Sequence, residues 1–405
     1  MPNQRLLVAT LPFLAASAAV LAVGDLNPPA GTVAATGKRL TEIEPRIPIS
    51  ATTTPGDLDS VFRIITPGSY YLTGNVAAAV GKHGIEIGTS DVSIDLRGFV
   101  VSGVGSSIGF DGIRSSAGSQ RNITIRNGSV SEWGGDGINL ATLSVSGGLI
   151  DGVTLHSNLE NGLLVGDTFS VRNCTSRGNG LAGIGTALGC TVSECAANFN
   201  GTVGFQLGSQ GLVNSSSATN NGTVGIALGF DCNAQDCTAI DNEGDGISGT
   251  FSVIIGCTAN INTANGIRVA ASSRVIGNNC SDNGFGGDGA GIRVVGADNR
   301  IESNDCTSND RGIDIDNAGN VILRNTCSGN ITNWDIVANK SLARSSIDAR
   351  PRAPPCSATA PRTPLARRIP TPTSRTNERA PHEAHHAALR RHPARRRRSR
   401  DPRRR

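Results

Sequence analysis

The sequence predicts an all-β solenoid of about twelve coils, and three observations carry that prediction. From Val171 to Ile247 the chain repeats every 21 residues without a slip, reading VRNCTSRGNGLAGI, VSECAANFNGTVGF, VNSSSATNNGTVGI and AQDCTAIDNEGDGI. A fixed short period is the signature of stacked coils that bury their apolar faces only against their neighbours. Beyond that stretch, a Gly followed by an apolar residue recurs at Ile85, Ile113, Ile138, Leu163, Ile184, Phe205, Ile226, Ile247, Ile267, Ile292 and Ile313, with Trp334 in the next slot. Finally, 51 Gly and only 3% aromatic residues in 405 argue against conventional globular cores, which a solenoid does not need.

Residues 1–24 open with Arg5 and continue into an Ala-rich apolar run from Leu6 to Val23. Small residues at Ala16, Ala18, Ala22 and Gly24 offer cleavage sites, so this segment is expected to be an export signal rather than a membrane span. The chain is therefore expected to be secreted, periplasmic or on the cell surface. Residues 25–76 are aperiodic and read as an N-terminal cap, with Phe62, Ile64, Tyr70 and Tyr71 as its buried residues.

Residues 77–340 form the coils. Triplets such as GIEI, GINL, GFQL and GIDI place the first and third aliphatics on one face of a strand and the middle residue on the other. Asn158, Asn179, Asn200, Asn221, Asn242 and Asn262 predict an asparagine ladder. After Asn262 that column is expected to move, because Asn283, Asn309 and Asn330 lie three residues past a Cys instead of five. Cys174, Cys195, Cys237, Cys257, Cys280, Cys306 and Cys327, with Ser216 in the vacancy, read as a column of free, inward thiols. The pairs Cys190/Cys195 and Cys232/Cys237 lie two coils apart, roughly 9–10 Å, too far for one tetrahedral zinc.

These features resemble the right-handed parallel β-helix superfamily, the fold of pectate lyases, polygalacturonases and exported bacterial repeat proteins. The resemblance covers about Gly84 to Ile336, and LNPPAGTV through TPGSYYLTGNV is similar to the N-terminal caps of the exported bacterial branch. It implies a pectin lyase-like scaffold, which carries lyases, hydrolases, epimerases, adhesins and inert spacers alike.

Residues 341–405 differ sharply. They hold 18 Arg against four acids, no Gly and no Val, Phe, Tyr or Trp, and are expected to be disordered. With the whole chain at +4, the first 340 residues carry about −10, so the overall charge describes neither part. An acidic exported rod has no evident use for a nucleic-acid tail, and nucleic acid is not an expected partner. The composition fits translation of GC-rich DNA out of frame from about Ala338 to Ala343.

Catalytic patterns are missing. The NTD, DD, GHG and RIK elements that polygalacturonase chemistry would need do not occur, and His83 and His156 read as surface or turn residues. Asp111, Asp136 and Asp245 each precede a Gly-Ile pair and are expected to shape the turn by local bonds. Asp241, Glu243 and Asp245 are candidate calcium ligands, against the alternative of a solvated turn, and no other cofactor is evident. The outward column of the main strand is more informative: Glu86, Arg114, Asn139, Leu164, Gly185, Gln206, Ala227, Ser248, Arg268, Arg293, Asp314 and Asp335. Arg268, Arg293, Asp314 and Asp335 read either as an ion-pair ladder or as a groove binding sugar carboxylates. Trp334 is expected in the core, leaving Trp133 as the exposed candidate for sugar stacking. Polysaccharide, with acidic glycans favoured, is the expected partner; the alternative is a structural or adhesive rod, with catalysis left open.

Overall fold

The computed structural model describes residues 44–337, apart from 106–108, 117, 142–144 and 286. Residues 1–24, expected to be an export signal, the first part of the segment expected to be a cap, and the basic residues 341–405 lie outside the described residues.

Every regular element among the described residues is a β-strand, and the strands stack in parallel into a solenoid of thirteen coils. The first sheet runs from Ser60–Ile64 through His83–Ile87, Ile113–Ser115 and so on to Thr332–Ile336, and the Gly-apolar triplets lie in it. The thirteenth strand, beyond the twelve counted from the triplets, is Ser60–Ile64. It carries no Gly-apolar pair, yet Phe62 and Ile64 lie in register with Ile85 and Ile87. At about 4.8 Å per coil the stack is roughly 58 Å long.

Two further strips of short strands close each coil. They merge where single strands, Arg121–Ser131 and Ser146–His156, run through both. Inward Ile, Val and Leu of the first sheet face small residues of the third strip, where Ala197, Ala218, Ala239 and Ala259 stack with no exposure. Each buried aliphatic contributes about 1.5–3 kcal/mol, and no aromatic core is required.

Register is fixed at the corners. Asn158 to Asn330 form one unbroken ladder of eight amide-to-carbonyl links at 2.9–3.0 Å. The expected displacement after Asn262 does not occur; the cysteine column moves instead. Cys257 hands its corner to Asn278, Asn304 and Asn325, while Cys280 stands in register with Ala259 two places along. Both residue types suit the corner because each accepts a backbone N–H from the coil before. Cys195 N–H donates to Ser216 Oγ, Cys257 N–H to Asn278 Oδ1, and at another corner Phe169 N–H to Cys190 Sγ. The nine described cysteines are all free, and eight are buried.

Candidate functional site

The outward column of the first sheet is continuous and in register, from Arg63 and Glu86 through Arg114, Asn139, Leu164, Gly185, Gln206, Ala227 and Ser248 to Arg268, Arg293, Asp314 and Asp335. It divides into a charged network at each end and a neutral trough between.

At the C-terminal end, Arg293 reaches Asp314 Oδ2 at 3.7 Å and donates to Asp316 Oδ2 at 3.2 Å. Arg311 joins Asp288, Asp314 and Asp335, the last at 2.9 Å. Asp314 is 4% exposed, and burial raises its carboxyl above the ordinary range, with Asp316 adding to the effect and the two Arg opposing it. Arg293, Asp314 and Asp335 are thus tied into an ion-pair cluster. Arg268 is not. It is exposed, stands beside Arg293 in the ladder, and no carboxylate among the described residues pairs with it.

The N-terminal end holds a network that the periodicity does not announce. His83, expected at the surface, is 5% exposed and packs against Phe110 with ring centroids 5.0 Å apart. Its Nδ1 accepts the Asp111 backbone N–H at 2.8 Å, and Nε2 lies 2.7 Å from Arg114 Nη1, so each ring nitrogen faces an N–H donor and an imidazolium would set its charge beside a guanidinium. Burial and then Arg114 push the imidazole down to about 4, and the 3.8 Å approach of Asp111 is therefore no ion pair near neutral pH. Asp111 is itself pushed up to about 6, chiefly by burial, and its Oδ1 accepts the Asp136 N–H at 2.8 Å. Asp136 in turn accepts both N–H groups of Asn161, and Asp245 those of Asn265. These aspartates do not make the local side-chain-to-backbone bonds expected of them; each accepts from the next coil, and Asp136 also takes the Asn139 amide three residues on.

The signal that would have found both networks is the residue just before each Gly-apolar pair. His83, Asp111, Asp136, Asn161, Asp245, Asn265 and Arg311 all occupy that place.

Between the networks lies a shallow trough of about 230 Å³, lined by Leu164, Val165, Gly185, Ala187, Gln206 and Gly208. A Cβ at Gly185 would come 2.5 Å from Leu164 Cδ2, the end of a half-exposed side chain that can turn aside.

Two aromatic assignments reverse. Trp133 is 1% exposed, not a surface platform; its Nε1 donates to Val101 O at 3.0 Å, and the indole lies where a Cβ on Gly84 or Gly112 would collide with it. Trp334, expected in the core, is 39% exposed, since it sits on the last described strand and pairs only with Ile313. Among the described residues no three acidic, His or Cys side chains gather closely enough to hold a metal ion, and this includes Asp241, Glu243 and Asp245. No described helix is long and apolar enough to cross a membrane.

Parallel in-register strands in three strips, turned by amide ladders, define a parallel β-helix, with which the right-handed, pectate lyase-like fold is consistent. Among solved structures, the A-module of Azotobacter vinelandii mannuronan C-5 epimerase AlgE4 is similar at 15% identity and TM-score 0.52, over 69% of this chain and 91% of that one. The A-module of AlgE6 from the same organism gives 15%, 0.50, 69% and 90%. The catalytic domain of Agl-KA gives 13% and 0.50, over 69% of this chain and 58% of that one. No family model matches the chain, and neither does any curated protein. At these identities the likeness establishes the fold.

Proposed function

We propose that the chain is an exported β-helix protein that binds acidic polysaccharide along the outward face of its first sheet. Arg268 carries this reading: an exposed guanidinium with no carboxylate partner among the described residues, next to Arg293, whose own charge is committed to Asp314 and Asp316. A guanidinium in that state suits a sugar carboxylate, which it can meet with two parallel N–H donors. The trough extends the same face toward the N-terminus, with small residues where a chain would lie. Support also comes from the β-helix neighbours that are modules of mannuronan C-5 epimerases.

The test is binding to polygalacturonate and polymannuronate by affinity electrophoresis, with ultraviolet detection of unsaturated products in parallel to report any cleavage. Arg268→Ala is expected to weaken binding about tenfold at unchanged stability. Wild-type protein that ignores both polymers leaves the structural or adhesive rod as the reading.

A further inference from the structure

In the eight coils from Leu163 to Ile313, the corner after the first sheet carries one residue with a left-handed backbone: Thr168, Gly189, Gln210, Asp231, Phe251, Ser272, Asp298 and Gly319. Seven of the eight are Gly or polar, and Gly, Asn and Asp take this conformation most readily. Phe251 is the exception, with φ 54° and 46% of its surface exposed. A bulky aromatic in this region is strained, and an exposed one recovers nothing from the core.

Phe251 does have a partner. Phe230, on the preceding coil, is 58% exposed, and the two rings stand 6.0 Å apart with planes tilted by 52°. The shortened coil between them shifts the register after Ala227, so that Phe230 pairs with Thr250 and Phe251 comes next. The pair borders the trough. Gly229, just before Phe230, packs so closely on the trough wall that a Cβ would lie 2.8 Å from the Gly208 carbonyl carbon and the Ser209 nitrogen. Arg268 lies on the next coil, in register with Ser248, three residues or ~10 Å along the strand direction from Phe251.

We infer that Phe230 and Phe251 form a stacking platform for a pyranose ring of the same glycan whose carboxylate Arg268 holds. The inference rests on the glycan-binding reading and assigns its ligand class: a uronate-containing chain crossing from the trough over the corner. The C–H face of a sugar ring covers the exposed aromatic surface, while the nearby guanidinium takes the acid group. Phe199 and Ile261 are exposed in the same backbone conformation at another corner, so what sets Phe251 apart is the tilted pair it forms with Phe230.

The experiment measures affinity for polygalacturonate and for the same polymer with its carboxyls reduced to alcohols. Phe251→Asn suits the left-handed backbone, so it is expected to raise Tm by about 2 °C while weakening polygalacturonate binding about tenfold. Phe230→Ala is expected to weaken binding similarly, whereas Phe230→Trp retains it and reports it by a shift in emission. If both Phe251→Asn and Phe230→Ala bind as wild type while Arg268→Ala does not, the platform is overturned and the acidic-glycan reading stands. If the reduced polymer binds in a Phe-dependent, Arg268-independent manner, the platform stands and the acidic reading falls. If neither polymer binds, both fall. Should Phe251→Asn lower Tm instead, Phe230→Ala against Phe230→Trp decides, and an equal loss in those two overturns the platform.

Discussion

His83 and Asp111 give opposite pH dependences from adjacent positions, and separating them tests the N-terminal network. The folded protein holds the imidazole near 4 against an ordinary value of 6.5, so between those values the unfolded chain binds more protons and stability rises with pH. It holds the Asp111 carboxyl near 6 against an ordinary 3.8, so through that window the folded chain binds more protons and stability falls as pH rises. At 1.36 kcal/mol per pKa unit, each effect amounts to about 3 kcal/mol. The side chains are only 7% and 13% exposed, so solvent screening removes little of either. Between pH 4 and 6 the two nearly cancel in the wild type. The informative quantity is therefore the difference from wild type, followed by thermal or urea unfolding across pH 4–7.5. Asp111→Asn keeps an oxygen for the Asp136 N–H while deleting the titration, so it is expected to gain on the wild type as pH rises through that window, by up to about 3 kcal/mol. His83→Gln is expected to lose ground over the same range by a similar amount. Differences with the same slope in both variants, or none in either, would refute the assignment of a neutral imidazole beside a proton-holding carboxyl.

Other expectations concern the scaffold and the C-terminal cluster. Asn221 makes two bonds with its amide and accepts two with its carbonyl, all with no exposure, and Asn330 makes the same four with its side chain at a half-buried rung. Asn221→Ala is therefore expected to cost about 3–5 kcal/mol in urea unfolding and Asn330→Ala about 1–2, because water reaches the lost partners only at the half-buried rung. Equal costs would show that burial does not set the value of a rung. Arg311→Met leaves the buried Asp314 with Arg293 alone and is expected to destabilise by about 2 kcal/mol, where Arg268→Ala stays within about 0.5. Alkylation of the native protein, mapped by mass spectrometry, should modify Cys327 before any other described thiol, since the remaining eight are at most 3% exposed.

The sequence made legible whatever repeats. The outward column could be written down residue by residue because a side-chain period of two and a coil of about 21 leave one solution, and it holds throughout. Legibility failed where residue types trade places. Aligning Cys280 under Cys257 is natural by chemistry and wrong by two positions, because a corner asks only for an acceptor of an N–H, which Cys, Ser and Asn all supply. It failed again where burial depends on the stack. Trp133 is buried by space that Gly84 and Gly112 leave one and two coils away, and the His83–Asp111 contact joins residues 28 apart across a lengthened coil. In the C-terminal ion-pair cluster, Arg293, Asp314 and Asp335 lie on the outward column, while Arg311, Asp316 and Asp288 lie off it.

The coils that exceed 21 residues are the ones beside the buried charge. Asp288, on the longer step between Ile267 and Ile292, reaches Arg311, and the corner bonds across that step stay at 2.8–2.9 Å although their partners are 26 residues apart instead of 21. The longer step from Ile85 to Ile113 likewise delivers Phe110 and Asp111 to His83. A loop can thus lengthen at this corner without disturbing the frame above or below it. Diversification of such a rod is local: new side chains reach the working face by insertion at one corner, and the remaining corners keep count.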